Sequence, residues 1–156
     1  MESLRVYRDN GKIDISLINE FEKKMMVKLP SSYKYLISNH NFLRPENDVF
    51  DYVDLDGKIN DRDICFLGYG EANPYNIYSK LELFPFYGDM KGIVPFGVSG
   101  NGDYICFDYR FLEVDEEPKV VLIYHDDYIQ DADGTMNPVV NLVAKNFEEF
   151  IESLHD

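Results

Sequence analysis

Ile93–Arg110, IVPFGVSGNGDYICFDYR, sets two apolar runs around Gly97, Gly100 and Gly102. A glycine-dense loop after a strand either cradles phosphate or turns a hairpin. A dinucleotide fingerprint needs Gly-x-Gly-x-x-Gly opening a helix whose amides face the pyrophosphate. The spacing of 97, 100 and 102 does not fit, and Asp-Tyr-Ile-Cys-Phe-Asp-Tyr after Gly102 is strand-like. No Gly-Lys-Ser/Thr follows, so a Walker loop is excluded as well. Asn101-Gly102 instead reads as a two-residue hairpin turn, because both residues tolerate positive φ. The loop turns the chain.

Working outward, Val49–Val53, Ile64–Leu67, Ile93–Val98, Asp103–Tyr109 and Lys119–Tyr124 are β-rich runs. Ahead of them, Leu17, Ile18, Phe21 and Met25 recur at helical spacing, with Asp14 or Ser16 as cap. That helix should stop before Leu29-Pro30. Ser31 or Ser32 then caps a second helix striped by Tyr33, Leu36 and Ile37. At the other end, Asn146 with Glu149 three residues on starts a helix carrying Phe147, Phe150, Ile151 and Leu154. Helices at both ends around a run of strands give an α+β fold with a largely antiparallel sheet. One domain over residues 1–156 is expected, with Gly68–Gly88 unassigned.

Charge is the most informative bulk property. Residues 1–40 carry seven Lys/Arg and five Asp/Glu, net +2, whereas residues 41–156 carry eight and twenty-four, net −16. Such a field repels nucleic acid and anionic membranes and steers a basic partner inward. It also serves solubility alone. No apolar run spans a bilayer and the N-terminus lacks a signal-type apolar core, so a cytoplasmic protein is expected. Cys65 and Cys106 sit in apolar Ile-Cys-Phe contexts and read as inert core thiols.

Candidate chemistry is sparse. Asp54–Asp63 resembles a calcium loop, but Tyr52 stands at position one and the shorter Asp63 at position twelve. An acidic hairpin turn is the competing reading. Asp131–Gly134 fails the same test, with Ile129 and Val140 at the end positions. His125-Asp126-Asp127 could hold a divalent metal for phosphodiester hydrolysis, yet no second His or Cys stands at ligand spacing. No Gly-x-Ser-x-Gly nucleophile elbow occurs. No catalytic residue, metal or cofactor is assigned. Pro74, Tyr75, Tyr78, Phe84, Phe86 and Tyr87, near Glu71, Glu82 and Asp89, form either core packing or an aromatic hot spot.

Taken in order, Ile18-x-x-Phe21-Glu22, Leu29-Pro30-Ser31-Ser32-Tyr33-Lys34-x-Leu36, Ile93–Gly97, Gly102–Asp108 and Val143-Ala144-x-Asn146–Ile151 resemble the SUKH superfamily. Its best-known bacterial members are immunity proteins against polymorphic toxins. The absence of tryptophan and the extended aromatic middle depart from the common pattern. The resemblance implies a non-enzymatic protein that binds a cognate toxin, often a nuclease, inside the producing cell. On that reading the carboxylates of Asp54, Asp56, Asp61 and Asp63 in one turn, and Asp126, Asp127, Asp131 and Asp133 in another, meet a basic nuclease. Tyr75, Tyr78 and Tyr87 are its aromatic anchors. A regulatory scaffold with no toxin partner is the alternative, and a metal-dependent hydrolase on His125 a third.

Overall fold

The computed structural model describes residues 4–84 and 91–156 of the chain. Its centre is a five-stranded antiparallel sheet in the order β5-β6-β7-β8-β9. These strands are β5 (Cys65–Phe66), β6 (Ile93–Val98), β7 (Tyr104–Asp108), β8 (Lys119–Gln130) and β9 (Met136–Ala144). Two smaller antiparallel pairs flank it: β1 (Val6–Arg8) with β2 (Arg44–Pro45), and β3 (Val49–Val53) with β4 (Ile59–Asp63). The helices are α1 (Ile15–Met25), α2 (Ser31–Asn39), α3 (Ile77–Leu83) and α4 (Phe147–Ser153). The fold is α+β, with α3 as a third helical region between the terminal ones. None of these helices is long and apolar enough to cross a membrane.

The hairpin expected at Asn101-Gly102 forms, but with different geometry. Gly102 alone takes positive φ, +94°, while its amide donates to Ser99 O at 3.0 Å and Ser99 N to Asp103 O at 2.9 Å. This is a three-residue connection closed by a left-handed glycine rather than a two-residue turn. Gly100 N does bind an oxyanion, but an internal one: the Asp63 carboxylate, at 2.9 Å.

All of β6 and most of β7 is buried, which requires cover on both sheet faces. Phe96 stacks on Phe107 at 4.2 Å between centroids and meets Tyr33 of α2 and Phe147 and Phe150 of α4 edge-on. Tyr104, three residues from Phe107 and so on the opposite face, meets Phe84 after α3 at 4.9 Å. Each fully buried Phe contributes about 1.5–3 kcal/mol. The aromatic density is therefore mainly core.

The junction of α1 and α2 rests on one carboxylate. Glu22 accepts from Leu29 N and from Lys34 Nζ, both at 2.7 Å, so it anchors the chain on either side of Pro30. Asp14 caps α1 through Ser16 N, as its sequence position suggested. Neither Ser31 nor Ser32 caps α2; Pro30 occupies the cap position without a side-chain bond. Asn146 does cap α4, accepting from Glu149 N at 2.8 Å.

Candidate partner-binding face

The β3–β4 hairpin turns at Asp54, whose carboxylate accepts from Asp56 N, Lys58 N and Asn60 Nδ2. Those bonds, led by the Lys58 amide, hold its carboxyl below the ordinary range. Gly57 supplies the positive φ of the turn, +82°. Asp54 is thus a turn-former and Asp56 an exposed tip. Asp61 and Asp63, expected in the same turn, lie instead on strand β4, because residues 59–63 pair in register with 53–49.

That pairing sorts the side chains by face. Phe50 and Tyr52 point inward and are buried. The outward face carries Asp51 opposite Asp61, Val53 opposite Ile59, and Asp63 opposite Val49. Val53 and Ile59 are exposed, as is Leu55 at the tip. Directly opposed like charges weaken a ladder. His155 Nε2, 3.1 Å from Asp51 Oδ1, relieves part of that cost.

A polar cluster fastens this hairpin to the main sheet. Asp103, 2% exposed, accepts from Arg62 Nε at 3.0 Å, His125 N at 3.1 Å and His125 Nδ1 at 2.7 Å. Burial pushes its carboxyl up, but His125 and Arg62 outweigh this and hold it below the usual value. The Arg62 guanidinium also lies over the rings of Tyr52 and Tyr124, 5.5 and 5.6 Å from their centroids. The two tyrosine hydroxyls share a hydrogen bond of 2.8 Å. Asp103, His125 and Asp126 bring potential metal-ligand atoms within 4.8 Å of one another. Both oxygens of Asp103 are engaged, however, and a fixed guanidinium beside them opposes a divalent cation.

Strand β8 does not stop at Tyr124 as its apolar run suggested. Ile123 pairs with Val140 and Tyr128 with Pro138, so residues 124–127 form a wide irregularity in β8 before pairing resumes. Beyond it a two-stranded arm extends, and residues 125–136 are all exposed. Asp126 and Asp127 therefore sit on the strand at the arm's base. Asp131 and Asp133 shape its tip, where Gly134 N donates to Asp131 O and Thr135 N to Asp133 Oδ1. Tyr128, Ile129 and Met136 add exposed apolar surface. His125 joins the arm's base to Asp103, and Asp103 joins it to the β3–β4 hairpin, so one cluster holds both acidic elements.

The aromatic anchors lie in different surroundings. Tyr78 packs edge-on against Phe21 with Lys24 over its ring, and Tyr75 sits under Arg44 and Lys80. Two cations border Tyr75, whereas Tyr78 has both Lys24 and the acid Glu20 beside it. Tyr87 falls outside the described residues. Sequence reasoning missed Arg62, Asp103, Tyr52, Tyr124 and Asp51. Asn60–Asp63 is polar at every position and carries no alternation of its own, so only pairing with β3 puts Arg62 on the inner face.

An α+β protein with two acidic hairpins held on one buried carboxylate is the class that fold and surface define. Residues 12–153 match the SMI1 / KNR4 family (SUKH-1), and the chain belongs to that family. Its members are generally non-catalytic immunity or regulatory proteins. Comparison with the curated proteins finds no match.

Proposed function

We propose that this protein is a non-enzymatic immunity protein that acts inside the producing cell by binding a cognate toxin, a basic nuclease domain. The observation that carries this reading is the β8–β9 arm: residues 125–136 stand exposed with four aspartates and without a lysine or arginine. A nuclease surface is electropositive because it holds phosphates, so such an arm competes for it and accelerates encounter. The outer face of β3–β4 adds a second contact of mixed character. Val53, Ile59 and Leu142 are apolar and exposed, and interfaces have apolar centres with charged rims. No metal or cofactor is needed for this role. Its partner is a protein rather than nucleic acid or membrane, both of which the net charge repels.

Co-expression with a nuclease toxin found encoded beside this gene is the test of the proposal. Survival of cells that otherwise die, together with a purified complex, is the expected result. Continued killing at equal protein levels would remove it. A stable housekeeping partner recovered from toxin-free cells would favour the scaffold.

A further inference from the structure

One concavity differs in charge from the rest of this acidic molecule. A cavity of about 160 Å³ lies between the β1–β2 pair and the loop preceding α3, lined in part by Arg8, Asn10, Arg44, Cys65, Asn73 and Tyr75. Every formally charged residue lining it is positive. A larger cavity elsewhere is bounded by Asp108, Glu113, Glu116 and Glu117 with two lysines.

Arg8 and Arg44 are direct cross-strand partners in β1–β2. Like charges in that relation weaken a ladder. In a chain with 29 acids and 15 bases, carboxylates could readily have been placed beside them. Among the described residues neither arginine has one within ion-pair distance. Lys80 does not line the cavity but stands behind its wall: its Nζ lies 5.2 Å from the centre of the Tyr75 ring, with the Arg44 guanidinium 5.6 Å from the same point.

Neutral donors complement these cations. Asn73 uses its side-chain oxygen to accept from Tyr75 N, which leaves its NH2 without a protein acceptor among the described residues. The nearby acid, Glu71, is engaged at the rim by Asn10 Nδ2 at 2.9 Å. Burial pushes the Cys65 thiol up, so that wall is a neutral thiol rather than a competing thiolate. Two guanidinium forks and an amide around a concavity supply the kind of donors that a tetrahedral oxyanion takes. The volume suits a phosphoryl group with a few waters, each taking roughly 30 Å³. It falls short of the roughly 300 Å³ at which pockets for larger ligands begin.

We propose that this cleft is a binding site for a single phosphoryl oxyanion, gripped by Arg8 and Arg44, supported by the Asn73 amide, and floored by Tyr75. The oxyanion comes either as free phosphate or on a phosphorylated side chain. None of these residues belongs to the acidic hairpins, so the site stands or falls separately from toxin binding.

The test is an NMR titration of the full chain at constant ionic strength, replacing chloride by inorganic phosphate, O-phosphoserine or acetate. The Arg8 and Arg44 Nε–H signals and the Tyr75 amide report on the site. We expect saturable shifts confined to these groups, with half-saturation by phosphate on the order of 1 mM or tighter, and weaker acetate binding. Tighter binding of phosphoserine than of phosphate would support the site and assign the protein-borne source; equal or weaker binding would assign free phosphate. The Arg8→Gln/Arg44→Gln double variant should bind at least 10-fold more weakly and lose the rise in melting temperature that phosphate gives the parent. Should that variant fail to fold, the single Arg8→Gln variant should weaken binding several-fold. Non-saturating shifts spread over many surface amides, or an undiminished response in the variants, would overturn the proposal.

Discussion

Replacing Asp103 by Asn probes the connection on which both acidic hairpins depend. The carboxylate accepts three hydrogen bonds, two of them from His125 and one from Arg62. Asparagine keeps one acceptor oxygen but turns an NH2 toward a neighbour that is itself a donor. Removing one partner of a fully buried ion pair costs about 3–5 kcal/mol. The Arg62 side chain is 24% exposed, so water recovers part of that loss. We therefore expect about 2–3 kcal/mol, a fall in melting temperature of roughly 4–12 °C for a chain of this length. Urea denaturation followed by circular dichroism at neutral pH measures it. Arg62→Gln and the double variant complete a cycle whose coupling should be about 1–3 kcal/mol. The pH dependence has a fixed sign. The folded-state pKa of Asp103 lies below its ordinary value of 3.8, so its stabilisation is complete above that pH and disappears as pH falls through the folded value. Asp103→Asn should thus flatten the acid limb of the stability profile. A loss under about 1 kcal/mol with an unchanged acid limb would refute the reasoning.

Other consequences follow from local geometry. Gly68→Ala should destabilise by about 1–3 kcal/mol, since an added Cβ would lie 2.5 Å from the buried Phe42 ring; calorimetry measures it. Asp61→Asn should raise the melting temperature slightly by removing the like-charge pair with Asp51, while slowing association with a basic partner; a lower melting temperature would contradict the register. In native protein iodoacetamide should label half-buried Cys65 slowly and buried Cys106 only after unfolding, because burial raises both thiols; equal labelling would contradict their placement.

Parts of the fold were legible because local chemistry and tertiary packing agree. The Leu29–Tyr33 junction, the Asn146 cap and the Ile93–Val98 strand each carry their own signal, and the structure keeps them. Strand β9 was missed because Pro138 and Asn141 interrupt its apolar run; Pro138 stands on an edge strand, and Asn141 is buried with its NH2 on Leu122 O. The outer end of β8 was missed because His125, Asp126 and Asp127 look like a loop, and only the pairing of Tyr128 with Pro138 makes them strand. Strand β4 was hidden by its aspartates, which resemble a calcium loop until the register with β3 places them on a ladder. Asp103 could not be singled out, since its role depends on Arg62 and His125, 41 and 22 residues away in sequence.

The toxin reading rests on the arm's carboxylates, and association kinetics address them directly. Stopped-flow mixing of the proposed cognate toxin domain with the parent and with the Asp126→Asn/Asp127→Asn/Asp131→Asn/Asp133→Asn variant should be followed across salt concentrations. The account predicts an association rate at least ~10-fold slower for the variant at low salt and a flatter salt dependence. Equal rates with the same salt slope would contradict it.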